Sequence, residues 1–140
     1  MIQKTKLEGL VRLMEHMRSP KGCAWDREQN YKDFLKHLKN ESDEVLQAIR
    51  KQDFENLREE LGDLLWNIVF ICQMAKEEGR FDVYDVMSDL RKKIVRRHPH
   101  VFGKVKARTS EEVVRRYREV KRMEKALLSK ASEGKKANRN

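Results

Sequence analysis

Apolar residues along the chain recur at three- and four-residue intervals, the period of an amphipathic helix, and nowhere alternate over a useful length. Leu7, Leu10, Val11 and Met14 predict a first helix over about 4–17, stopped by Ser19 and Pro20. After a loop over 21–26, with Asp26 as N-cap, a second helix runs to about Arg50 on an apolar face of Phe34, Leu35, Leu38, Val45, Leu46 and Ile49. The third, from Phe54 to about Glu78, is the most apolar, with Leu57, Leu61, Leu64, Leu65, Ile68, Val69 and Cys72 before a stop at Gly79. Asp82 caps a fourth helix carrying Val86, Leu90 and Ile94, which Pro99 ends, and 100–108 reads as loop. Ser110, followed by Glu111 and Glu112, starts a fifth with a thin stripe of Val113, Tyr117, Val120 and Leu127. The pattern predicts an all-α helical bundle of about five helices, one domain over 1–130 and a basic, disordered tail over 131–140.

Polar residues that interrupt the apolar faces carry the chemistry. On the third helix, stepping 100° per residue from Glu60 brings Asn56, Asp63 and Asn67 within about 60° of it. Leu57, Leu64 and Ile71 flank this stripe on one side, and Trp66, Phe70 and Met74 on the other. Ionised carboxylates are costly to bury and repel each other at i, i+3; a cation between them relieves both penalties. Glu41 and Glu44 repeat the spacing at the edge of the second helix's apolar face, so packing of the two helices lets four carboxylates converge. Four oxygen donors without His or Cys suit a hard ion and favour Mg²⁺ over zinc, with Mn²⁺ as a substitute. A single acidic pair in so charged a chain is more often solvated surface, but a solvated face is not hemmed by Leu and Phe.

Lys93 and Arg97, four apart beside the fourth helix's stripe, either meet phosphates, pair with the same carboxylates or are solvated. Trp25 either stacks on a base or anchors the core. His98 and His100, flanking Pro99, read as packing or capping residues.

The formal charge of +9 points toward nucleic acid until it is located. Residues 115–140 hold ten Lys or Arg against three Glu, +7 of the total, so the excess reads as a solvated helix face and tail. A nucleic-acid binder acting through the basic stretch from Arg91 to Arg97 and the last helix is the rival from another class, and salt-sensitive, magnesium-independent binding would be its signature. Cys23 and Cys72 lie in unlike contexts and predict neither a disulfide nor a CxxC metal site. No apolar run of about 18 residues occurs, and the N-terminal stretch lacks signal-peptide features, so the expectation is a cytoplasmic protein without a membrane partner.

Five stretches in order, Cys23-Ala24-Trp25-Asp26 with Gln29, then Glu41 and Glu44, Glu59-Glu60-Leu61-Gly62-Asp63, Gly79-Arg80-Phe81-Asp82, and Arg96-Arg97-His98-Pro99-His100-Val101-Phe102-Gly103, resemble the MazG family of nucleoside triphosphate pyrophosphohydrolases. The resemblance covers about residues 10–125. It implies hydrolysis of a nucleoside triphosphate to the monophosphate and pyrophosphate, in nucleotide-pool clearance. It further implies Mg²⁺ on Glu41, Glu44, Glu60 and Asp63 as catalytic ligands, triphosphate on Lys93 and Arg97, and Trp25 in the region of the nucleotide pocket. A homodimer or higher oligomer completing a four-helix bundle is also implied. Asn40 stands where the family's EExxE motif usually has its first Glu, and Ala24 replaces the usual Pro of its CPWD loop. Asn30-Tyr31 likewise replaces a common Thr-His. Asn40 cannot act as a base, and it leaves a non-catalytic nucleotide- or protein-binding module as the alternative.

Overall fold

Local capping sets the helix boundaries. The computed structural model describes residues 7–137, and every regular element among them is helical: α1 (Leu7–Arg18), α2 (Ala24–Glu28), α3 (Tyr31–Lys51), α4 (Phe54–Glu77), α5 (Val83–Arg97), α6 (Pro99–Phe102) and α7 (Ser110–Ala137). The all-α expectation holds, with two short helices added to the predicted five; residues 4–6 of the predicted first helix lie outside the described residues.

The second long helix is capped by Asn30 rather than Asp26. The Asn30 side chain accepts the Lys32 N–H at 2.9 Å while Asp33 accepts the Asn30 N–H at 2.9 Å, a reciprocal box that satisfies free donors of the first turn. Asp26 instead lies buried inside the short α2. At the start of α4, Asp53 accepts the Asn56 N–H at 3.1 Å, and at its end Gly79 takes φ +66° as the backbone reverses. Asp82 caps α5 as predicted, accepting the Tyr84 and Asp85 N–H groups at 2.8 and 3.0 Å. In the predicted loop after Pro99, the proline occupies the first turn of α6, where its fixed φ suits a helix and its missing N–H costs nothing. Thr109, one residue before the predicted Ser110, caps α7 by accepting the Glu112 N–H at 3.3 Å.

The chain divides into two compact units, Met1–Val86 and Met87–Asn140. In the first, α3 and α4 pack together across the short turn at Gln52 and Asp53, α1 packs on α4, and α2 on α1. Its core gathers Val11 and Met14 of α1, Phe34 of α3, Val69, Phe70, Cys72 and Met74 of α4, and Val83. The Phe34 and Phe70 rings sit 4.4 Å apart between centroids. Burying Phe70 alone contributes about 1.5–3 kcal/mol. Much of the predicted apolar surface is not in this core: Leu35, Leu46 and Ile49 of α3 and Leu61, Leu65 and Ile68 of α4 are exposed, as is Phe54.

In the second unit α7 continues through Ala137, so the disorder predicted beyond Lys130 is corrected to helix as far as that residue. Extending a formed helix needs only one backbone hydrogen bond per added residue, and Ala131, Lys135, Lys136 and Ala137 are good helix formers. No helix among the described residues is long and apolar enough to cross a membrane.

Candidate functional site

Folding α3 back along α4 places one acidic pair opposite the other. Carboxylate oxygens of Glu41, Glu60 and Asp63 come within 4.8 Å of one another. Glu44, the fourth predicted member, is exposed and stands outside this group. Its charge still reaches the group: the Glu60 carboxyl is raised above its ordinary pKa, first by burial, then by Glu44, Glu41, Asp63 and Glu59. Carboxylates crowded closely enough to raise the Glu60 pKa form a site whose charge a divalent cation would compensate. With no His or Cys in the group, the donor set suits a hard cation. Asn67, one helical turn beyond Asp63, is 9% exposed, and its amide nitrogen has no hydrogen-bond partner. Asn40, at the position of the family's usual Glu, is exposed.

Trp25 is not a core anchor. It is 54% exposed, and its ring meets His37 edge-on at 5.8 Å. His37 in turn meets Phe34 at 5.4 Å, so an aromatic ladder leads from the surface to the Phe34–Phe70 pair. The segment bearing Trp25 is tied down by Arg18, whose Nη1 donates to the Asp26 carbonyl at 2.5 Å. The same guanidinium forks onto Glu77 at 2.7–3.1 Å and lies over the Phe70 ring, 5.1 Å from its centroid. Arg18 and His37 were not singled out from sequence.

In the second unit, Lys93 is half-buried and forms no ion pair among the described residues. Arg97 is held by α7: Nε and Nη2 donate to Glu124 at 3.2 and 2.8 Å, and Nη1 donates to the Tyr117 hydroxyl at 3.0 Å. Arg96 donates to the other Glu124 oxygen at 2.6 Å. Hydrogen bonds from Arg97 and then Arg96 pull the Glu124 carboxyl down to about 2. Glu124, too, was not singled out from sequence. His98 Nδ1 lies 2.6 Å from the Ile94 carbonyl and its residue caps α6, which fits the packing and capping role. Both cysteines are free, as expected.

A helical hairpin that concentrates carboxylates on its facing sides defines an all-α protein with a candidate metal centre. Residues 29–102, over half the chain, match the MazG nucleotide pyrophosphohydrolase domain. The chain is 44% identical over 128 residues to a nucleoside triphosphate pyrophosphohydrolase of Escherichia coli K12, covering 91% of this chain and 49% of that protein. It is 46% identical over 96 residues to the nucleoside triphosphate pyrophosphohydrolase/pyrophosphatase MazG of Thermotoga maritima, covering 69% and 38%. The crystal structure of a mazG-related protein from Thermotoga maritima superposes with a TM-score of 0.69 at 30% identity, over 82% of this chain and 98% of that one. The chain belongs to the MazG family. It spans about half the length or less of these curated relatives.

Proposed function

We propose that this chain hydrolyses nucleoside triphosphates to a nucleoside monophosphate and pyrophosphate, with Mg²⁺ held by Glu41, Glu60 and Asp63 and Glu44 completing the ligand set. The convergence of three carboxylates within 4.8 Å carries the reading, since this oxygen-only donor set fits a hard divalent ion. Mg²⁺ bound there supplies positive charge for the polyphosphate and activates water; Mn²⁺ fits the same donors. Glu41, Glu60 and Asp63 fix the site on two packed helices rather than on a loop, which keeps the spacing of the donors constant. Either one of the metal-holding carboxylates or Glu59, whose charge reaches Glu60, takes the proton of the attacking water in this proposal.

Lys93 and Arg97, one helical turn apart on α5, take the phosphates in this proposal, as the resemblance to the family implies. The exposed Trp25 ring offers a stacking face for the base. The exposed apolar side chains of α3 and α4 support a homodimer or higher homo-oligomer in which a second copy of the chain covers them. Clearance of nucleotides in the cytoplasm is the role proposed.

The test incubates the purified chain with the eight common ribo- and deoxyribonucleoside triphosphates, with Mg²⁺ or with EDTA, and resolves products by ion exchange. Monophosphate and pyrophosphate formed only with Mg²⁺ support the proposal. Absence of product from every triphosphate favours a non-catalytic module.

A further inference from the structure

The ion-pair node at the end of α5 is more elaborate than a surface salt bridge requires. Tyr117 and Glu124 are seven residues apart on α7, two helical turns, and so share one face. Both address Arg97, whose side chain is 18% exposed against 17% for Glu124. Glu124 Oε1 accepts from Arg96 and, at 3.5 Å, from Arg97 Nε, Oε2 accepts from Arg97 alone, and the Tyr117 ring centroid lies 5.4 Å from the Arg97 guanidinium.

A guanidinium has five N–H groups in a rigid fork. Glu124 takes the Nε–H and one Nη2–H of Arg97, and Tyr117 takes one Nη1–H. Five less three leaves two, one on each terminal nitrogen. Two arginines against one glutamate also leave the node with a net charge of +1, so it still attracts an anion. Holding a long side chain in one rotamer before a ligand arrives removes an entropic cost from binding. We propose that Glu124, assisted by Tyr117, is a positioning residue that presents the remaining N–H donors of Arg97 to a phosphate group. This inference rests on the phosphate-binding role proposed for Arg97. Glu124 stays ionised throughout the neutral range, so the hold does not lapse there.

Inorganic triphosphate with Mg²⁺ is the probe, because its binding depends on neither base preference nor turnover. Isothermal titration of the full chain compares wild type, Arg97→Ala, Glu124→Gln, Glu124→Asp and the double variant Arg97→Ala/Glu124→Gln. Arg97→Ala is expected to raise Kd more than about tenfold and Glu124→Gln about three- to tenfold, since an amide holds a guanidinium more weakly than a carboxylate. The double variant should bind no more weakly than Arg97→Ala alone, within about twofold, because both changes act through one guanidinium. Glu124→Asp should fall closer to wild type than Glu124→Gln. A merely structural loss would lower the fraction of binding-competent protein, read as stoichiometry, while leaving Kd unchanged. Wild-type or tighter binding by Glu124→Gln while Arg97→Ala is impaired overturns the positioning role alone, as do losses that multiply in the double variant. An Arg97→Ala protein that binds like wild type, or a wild type that does not bind, overturns the role of Arg97 and the inference with it.

Discussion

Arg18→Met tests how the Trp25 segment is held. Methionine keeps an apolar stem against Phe70 and removes only the guanidinium, which is 9% exposed in its side chain. The Asp26 carbonyl then loses a charged donor at 2.5 Å, a change worth about 1.5–3 kcal/mol. Glu77 is 38% exposed and regains water when its partner goes, so its share is held to about 1 kcal/mol or less. Together these cost about 2–4 kcal/mol. At about 4–8 °C per kcal/mol for a unit of this size, Tm should fall by roughly 8–30 °C, read by circular dichroism at pH 7. Acid supplies a second arm. Arg18 holds the Glu77 carboxyl below its ordinary value of 4.5, so the stabilisation is complete above that value and is lost as pH falls through the lower folded-state pKa. The Tm gap between wild type and Arg18→Met should therefore narrow below pH 4.5. A fall of less than about 3 °C at pH 7, or a gap unchanged between pH 6 and 3, would refute the clamp.

Gly22→Ala should cost about 1–3 kcal/mol in denaturant unfolding, because an added Cβ would lie 2.2 Å from the backbone oxygens of His16 and Met17. An unchanged midpoint would mean that the turn after α1 yields freely. Mg²⁺ should raise Tm, by about 2.7 kcal/mol of stability at a hundredfold excess over Kd, and Asp63→Ala should lose that response. An equal shift in the variant would place the ion elsewhere. Deleting residues 131–140 should leave turnover and Tm nearly unchanged; a large loss of either would make the end of α7 a working part of the fold.

The acids of α4 were legible because Glu60 and Asp63 interrupt a helix of Leu and Phe, and an i, i+3 pair is a local pattern. Their meeting with Glu41 was legible as soon as the two helices were taken to pack. That Glu44 stands outside the group was not, because this depends on register and rotamer rather than spacing. Capping positions slipped for a similar reason: Asp26 and Asn30 are both good caps, and only the closed turn of α2 decides between them. The apolar stripes of α3 and α4 were visible, but a stripe reads alike whether it meets its own core, as Phe34 does, or stays exposed, as Leu35 does. Arg18 with Glu77 and Arg97 with Glu124 join residues 59 and 27 positions apart, pairings to which no periodicity points.

In the proposed function, the carboxylate group on α3 and α4 performs the hydrolysis. Pyrophosphate release from a nucleoside triphosphate substrate, followed at saturating Mg²⁺ for wild type, Glu60→Gln and Asp63→Asn with folding checked by circular dichroism, tests it most directly. The wild-type rate should be magnesium-dependent and drop at least about 100-fold in each folded variant. Either variant turning over near the wild-type rate would contradict it.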